Sequence, residues 1–168
     1  SPCTGAELLS ITLKGKKMTV KLSTGLRDNL AGSTGFAATF DKGVIDIYSG
    51  PQPTSADAAV TGTLLGTVTL NSGAFVPGSP TNGLTFAAAA GGAVSKSGVW
   101  SFNGIAAGTA GWFRLKGNAV DAGGASTTLA RVDGSVAVTG GDLNLSNITI
   151  AVGAPNTIDT FTWTQPAQ

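Results

Sequence analysis

The chain has no histidine, one cysteine and one glutamate among 168 residues. Without histidine there is no Ser-His-Asp triad, no Cys-His dyad and none of the usual zinc sites. The lone Cys3 excludes an internal disulfide and a cysteine-built zinc site. It reads as an incidental residue near one end, with a thiol link to a neighbour as the other reading. Charge is scarce too: 11% of residues are Asp, Glu, Lys or Arg, against about 25% in an average soluble domain. The net charge of +1 supplies no field to draw in nucleic acid or an acidic membrane surface. No P-loop or dinucleotide fingerprint is found. The run GIAAGTAG lacks the lysine and the strand-then-helix setting those sites need, and reads as a turn between strands. The longest uncharged apolar stretch, around Leu84 to Val94, is rich in Ala and Gly and far short of a membrane span. No basic-then-apolar signal segment opens the chain, and its start at Ser1 rather than Met leads us to expect trimming there.

Thr, Ser, Gly and Ala fill the places that charges leave. With 42% apolar residues the chain can bury a core, and its length fits one domain. A surface of hydroxyls and small side chains suits close-packed repeating assemblies and extracellular proteins better than a cytosolic enzyme.

Three regions follow from the pattern. Residues 1–22 form a leading arm with a cationic cluster, Lys14, Lys16, Lys17 and Lys21. Ile11 with Leu13, and Val20 with Leu22, alternate there with polar residues as in half-buried strands. The cluster has two readings, a solvated end or an arm that docks on an acidic neighbour. Residues 24–41 predict one or two short helices, with Leu26 and Leu30 on one face and Phe36 and Phe40 on another. Ser33 is the expected cap of the second helix and Gly43 its stop. From Gly43 onward, strands are expected near 44–49, 64–70, 84–88, 98–103, 111–117, 127–133, 135–139, 143–152 and 157–164, divided by Gly, Pro, Asn and Asp turns. Trp100 and Phe102 share a face, as do Phe113 and Leu115, and Phe161 and Trp163. Leu143 and Leu145 are out of phase with Ile148, Ile150 and Val152, which predicts a bulge or break near Asn147. The segment PTSADAAVTG holds either one helical turn after Ser55 or a loop. No helix is long enough for a βαβ crossover. The expected fold class is therefore all-β, an antiparallel β-sandwich, jelly-roll-like or immunoglobulin-like, over residues 23–168.

Candidate sites are few. Of the nine carboxylates only Asp46 and Asp159 are placed mid-strand; nothing in the sequence pairs them for glycosidase chemistry, and each is expected to face solvent or take a backbone donor. Asp121 or Asp142 with loop carbonyls could hold a single cation, though no clustered calcium loop exists. Trp100, Trp112 and Trp163 could form a sugar platform, but their strand settings favour core packing. Trp112 and Arg114 lie opposite Phe113 and Leu115, making Trp112 the best candidate for an exposed or interface aromatic. The candidate partner-binding residues are Leu13, Lys14, Lys16, Lys17, Lys21, Trp112 and Arg114. No catalytic residue, cofactor or metal is expected.

The stretch MTVKLSTGLRDNLAGSTGFAATFDKGVIDIYSGPQPTSADAAVTGTLLGTVTL resembles a family of small tailed-phage virion proteins. The likeness continues through GLTFAAAAGGAVSKSGVWSFNGIAAGTAGWFRL and TTLARVDGSVAVTGGDLNLSNITIAVGAPNTIDTFTW, covering roughly residues 18 to 164. Members begin near what is here Met18, so residues 1–17 are an extra arm or a longer start. The resemblance implies a non-enzymatic structural protein of the virion, assembled in the bacterial cytoplasm, whose partners are capsid or tail proteins and other copies of itself. A capsid decoration (cement) protein is the first expectation. A tail tube, tip or baseplate protein is the second, and a carbohydrate-binding host-adhesion module the third. Neither nucleic acid nor membrane is an expected partner.

Overall fold

Strands alternating large apolar with polar residues need one covered face, and this chain builds that face into a broad twisted sheet. The computed structural model describes residues 20–165. Its elements, in order, are β1 (Lys21–Leu22), α1 (Thr24–Ala31), α2 (Phe36–Phe40), β2 (Val44–Ser49), β3 (Leu64–Leu70), β4 (Thr85–Phe86), β5 (Ala93–Ser97), β6 (Trp100–Asn103), β7 (Gly108–Lys116), β8 (Arg131–Ala137), β9 (Leu143–Asn144), β10 (Thr149–Ile150), β11 (Pro155–Ile158) and β12 (Thr162–Thr164). The protein is thus mostly β, with two short helices.

The main sheet runs β1-β8-β7-β2-β3-β6-β11, with β10 beside β7 and β9 beside β8; β12-β5-β4 form a separate three-stranded sheet. Pairing is antiparallel except for β8 with β9. The inner face of the main sheet presents Ile45, Ile47, Val68, Trp100, Phe102, Phe113, Leu115 and Val132. Leu26, Phe36 and Phe40 from the helices and Val94 from the small sheet join the same cluster. Rings knit the two parts together: Phe36 stacks on Trp163 at 4.4 Å, and Phe86 meets Trp100 edge-on at 5.3 Å.

Several expectations hold here. Phe36 and Phe40 are both buried on one helical face, and β2 and β3 span the expected residues. The ladder breaks between β9 and β10, where Asn147 Oδ1 accepts from the Thr149 amide at 2.9 Å. That break lets Leu143, Leu145 and Ile150 all reach the core despite their opposed phases. Val152 does not continue the row; it sits in the following turn, 69% exposed.

Other expectations are corrected. Ser33 caps nothing; Gly35 is the N-cap of α2 and makes no side-chain bond. The capping side chain belongs to Ser23, whose Oγ accepts from the Leu26 amide at 3.1 Å. Gly134 is not a turn between two strands but the middle of β8. A Cβ there would lie 2.7 Å from the Phe113 ring, so the glycine leaves room for that ring instead of reversing the chain. The PTSADAAVTG segment is a loop with one turn, closed by the Ala58 amide on the Ser55 carbonyl at 3.1 Å.

Candidate functional site

The outer face of the main sheet carries nearly all the chemistry of the described residues. Alternation that sends Ile45, Phe113 and Val132 inward sends their neighbours outward. The register then lines up Lys21, Asp133, Arg114, Asp46 and Thr67 across β1, β8, β7, β2 and β3. This row is not open to solvent. The β2–β3 loop and the β7–β8 loop fold over it, leaving Arg114, Arg131 and Asp133 fully buried and Asp46 4% exposed.

Ion pairs neutralise the layer. Arg114 Nε and Nη2 each donate to Asp133 at 2.7 Å, a bidentate pair. Arg131 holds Asp121 in the same way at 2.7 and 2.6 Å. Lys116 Nζ lies 2.6 Å from Asp46 Oδ2, while Thr67 Oγ1 donates to Asp46 Oδ1 at 2.7 Å. Tyr48 stacks on Trp112 with ring centroids 4.5 Å apart, and the Arg114 guanidinium sits 5.6 Å from the Trp112 ring.

The same cations fasten the roof. Arg114 Nη2 donates to the Ala58 carbonyl at 3.1 Å, Arg131 Nη1 to Ala56 at 3.4 Å, and Trp112 Nε1 to Thr61 at 3.2 Å. Asp57 locks the loop to α1, accepting from the Thr24 amide at 2.8 Å and the Thr24 hydroxyl at 2.7 Å. Lys21 Nζ donates to the Pro53 carbonyl. The Val60 amide binds Gly123 O at 2.9 Å, joining the two loops.

Ionisation follows these surroundings. Burial first, then the Asp46 charge, pushes the Tyr48 phenol up, so it stays neutral. Burial raises the Asp133 carboxyl above its ordinary range even against Arg114. Burial also works to raise Asp121, but hydrogen bonds from Arg131 and the Gly123 amide, with the nearby cations, hold it below the usual carboxylate value. The two Thr24 bonds lower Asp57.

These positions revise the sequence reading. Trp112 is not an exposed aromatic: it and Arg114 are both 0% exposed, covered by the β2–β3 loop that their own donors anchor. Neither reaches the surface of the folded chain where a partner would touch it. Trp100 is also fully buried and Trp163 stacks on Phe36, which removes the tryptophan platform for sugars. Asp46 faces neither solvent nor a backbone donor but Lys116 and Thr67. Asp159 is exposed as expected. Asp121 is committed to Arg131, and Asp142 Oδ2 takes the Ser135 amide and hydroxyl at 2.8 Å. Among the described residues no group of three metal-ligating side chains gathers. Leu13, Lys14, Lys16 and Lys17, with Cys3 and Glu7, lie outside the described residues. Of the cationic cluster Lys21 is described, and its ammonium is engaged by the loop. Sequence reasoning missed the charge layer as a unit. The signal available was that Arg114, Lys116, Arg131 and Asp133 all fall on the polar phase of two strands joined by one loop.

Fold and site together define a mostly β protein whose buried ionisable groups pair with one another and with the carbonyls of its own loops. Comparison with protein-family models, with curated proteins and with solved structures gave no match.

Proposed function

We propose that this chain is a non-enzymatic structural protein of a tailed-phage virion, a sandwich-like module that decorates the head and braces neighbouring subunits. The resemblance over residues 18 to 164 supplies the virion setting. One structural observation carries the bracing role. The main sheet ends in β11, and no strand among the described residues covers that edge. Beside it, Ile105 and Val152 stand 59% and 69% exposed on two turns tied by the Gly153 amide to the Gly104 carbonyl at 2.7 Å. An open edge flanked by apolar side chains is a liability in a free monomer and a joint in an assembly. The charges of Arg114, Asp133, Lys116, Asp46, Arg131 and Asp121 are closed in ion pairs under the loops, so these do not repel a like neighbour. The segment before β1 is the second proposed contact, through Leu13, Lys14, Lys16 and Lys17, since Lys21 is already engaged within the fold.

The test is a copy number. Particles are purified, heads and tails separated, and the chain quantified in each by mass spectrometry. Hundreds of copies following the heads are expected. Ring-like numbers confined to tails would assign a tail role instead, and absence from both would end the virion reading.

A further inference from the structure

Phe75 is set apart from every other aromatic residue of the chain. The remaining phenylalanines, the tryptophans and Tyr48 all belong to the core cluster or to a ring pair; Phe75 belongs to neither. It is half-buried in the wall of a groove of about 340 Å³ between the loop after β3 and the outer face of the sheet. Thr67, Thr69, Ser72 and Asn103 supply the polar lining, and Ile105 adds to the apolar part. The volume lies at the lower end of the roughly 300–1,000 Å³ usual for small-molecule sites.

The hydrogen bonds of this lining narrow the chemistry of a ligand. Thr67 donates its hydroxyl proton to Asp46 at 2.7 Å and Thr69 donates to the Gly73 carbonyl at 2.8 Å. Both threonine oxygens therefore keep acceptor capacity for an incoming donor. The Asn103 side-chain amide has no partner among the described residues and offers both a donor and an acceptor. No lysine or arginine lines the groove, so nothing there compensates an anion. No carboxylate lines it either, and Asp46, which Thr67 binds, is already paired with Lys116, so nothing there draws a cation. What fits is a neutral ligand that is rich in hydroxyl donors and has an apolar face to set against a ring.

The loop is also shaped at some cost in backbone strain. Asn71 and Ser72 have φ of 53° and 54° in the tight turn closed by the Gly73 amide on Leu70 O at 3.0 Å. Left-handed backbone favours glycine, yet the second position holds serine, whose Oγ lies 2.8 Å from Ser101 Oγ of β6.

We propose that this groove binds one pyranose unit of a neutral saccharide, its CH face on Phe75 and its hydroxyls on Thr67, Thr69 and Asn103. This goes beyond the assembly reading and does not depend on it, since particle copy number and sugar binding are measured separately.

The experiment is a titration of the isotope-labelled full chain, read by amide NMR, with glucose, galactose, N-acetylglucosamine and rhamnose in turn. Glycerol serves as a hydroxyl-bearing control without a ring face. At least one sugar is expected to give saturable shifts confined to residues 67–75 and 101–105, and glycerol none. Phe75→Ala should weaken that binding by about tenfold, the scale of one lost stacking contact. Ser72→Gly should weaken it while leaving the melting temperature equal or higher, because strain is relieved. Absence of saturable shifts with all four sugars overturns the proposal. So do shifts that glycerol reproduces, or binding that both variants retain in full.

Discussion

Arg114 and Asp133 share two hydrogen bonds in a place that water does not reach, and Arg114 Nη1 is left buried without a partner. Burial of two charges costs more than their attraction returns unless every lone pair and proton is matched, so this pair specifies the arrangement of β7 and β8 more than it stabilises it. Removing one partner is another matter, because the survivor stays buried and unpaired. Arg114→Met alone should destabilise the fold by about 3–5 kcal/mol, and the double variant with Asp133→Leu should recover most of that loss. Urea unfolding of the wild type, both single variants and the double closes the cycle; additive losses would sink this account. Ser23 makes a smaller, sharper case. Its Oγ accepts from the Leu26 amide and from the Arg131 amide at 2.8 Å, and donates to Leu129 O at 2.8 Å. Ser23→Ala therefore removes the cap of α1 and leaves the buried Arg131 amide without that acceptor. The expected cost is at the upper end of the roughly 0.5–2 kcal/mol range for lost caps. Thermal melts of the variant check it; a loss no larger than that of an exposed Ser→Ala control elsewhere would contradict it.

At the scale of elements, what was legible in the sequence is what alternation or helical spacing repeats. β2, β3, β6 and β7 come from such rows, and the pairs Leu26–Leu30 and Phe36–Phe40 lie inside the two helices. Illegible elements are those whose residues carry no such row. β5, Ala93–Ser97, has one large apolar residue, Val94, and exists because β4 and β12 pair with it on either side. Arm and charge layer differ in the same way. Lysines cluster along the sequence in the arm, whereas Arg114, Asp133, Asp46 and Lys116 meet only through sheet register, which no local pattern displays. Gly134 was misread because DGS is turn chemistry in isolation; only the Phe113 ring opposite shows why the position must lack a Cβ. Gly134→Val should then destabilise β8 by overpacking, on the order of 1–3 kcal/mol. A turn would have tolerated the change differently, losing left-handed backbone. Combining Gly134→Val with Phe113→Leu, which vacates the contact, should give less than the sum of the two losses. Strict additivity would point to the backbone and away from the ring.

At the scale of the whole molecule, the carboxylates couple the roof loops to pH with opposite signs. Asp57 and Asp121 have lowered values in the folded chain, so the unfolded chain takes up protons first as the solution is acidified. Their contribution is complete above the ordinary aspartate value of about 3.9 and is lost as pH falls through their lower folded values. Asp133 runs the other way. Raised by burial, it favours the folded form most below that ordinary value, and its contribution declines as pH rises through the folded one. Acid below that ordinary value therefore loosens the ties of the β2–β3 loop to α1, and of the β7–β8 loop to Arg131, whereas Asp133 takes up its proton at higher pH and its titration favours the folded form. The melting temperature should fall as pH drops below about 4, and circular dichroism melts across that range measure the slope. Asp57→Asn keeps an acceptor for Thr24 but cannot titrate, so its melting temperature should depend less steeply on pH there. An unchanged slope in that variant would place the acid sensitivity elsewhere. Tryptophan emission adds the spatial half of the argument: Trp112 is covered by the loop that Asp57 fastens, so its environment should become wetter before the β signal is lost. Loss of both signals at a single pH would mean that roof and sheet unfold as one unit.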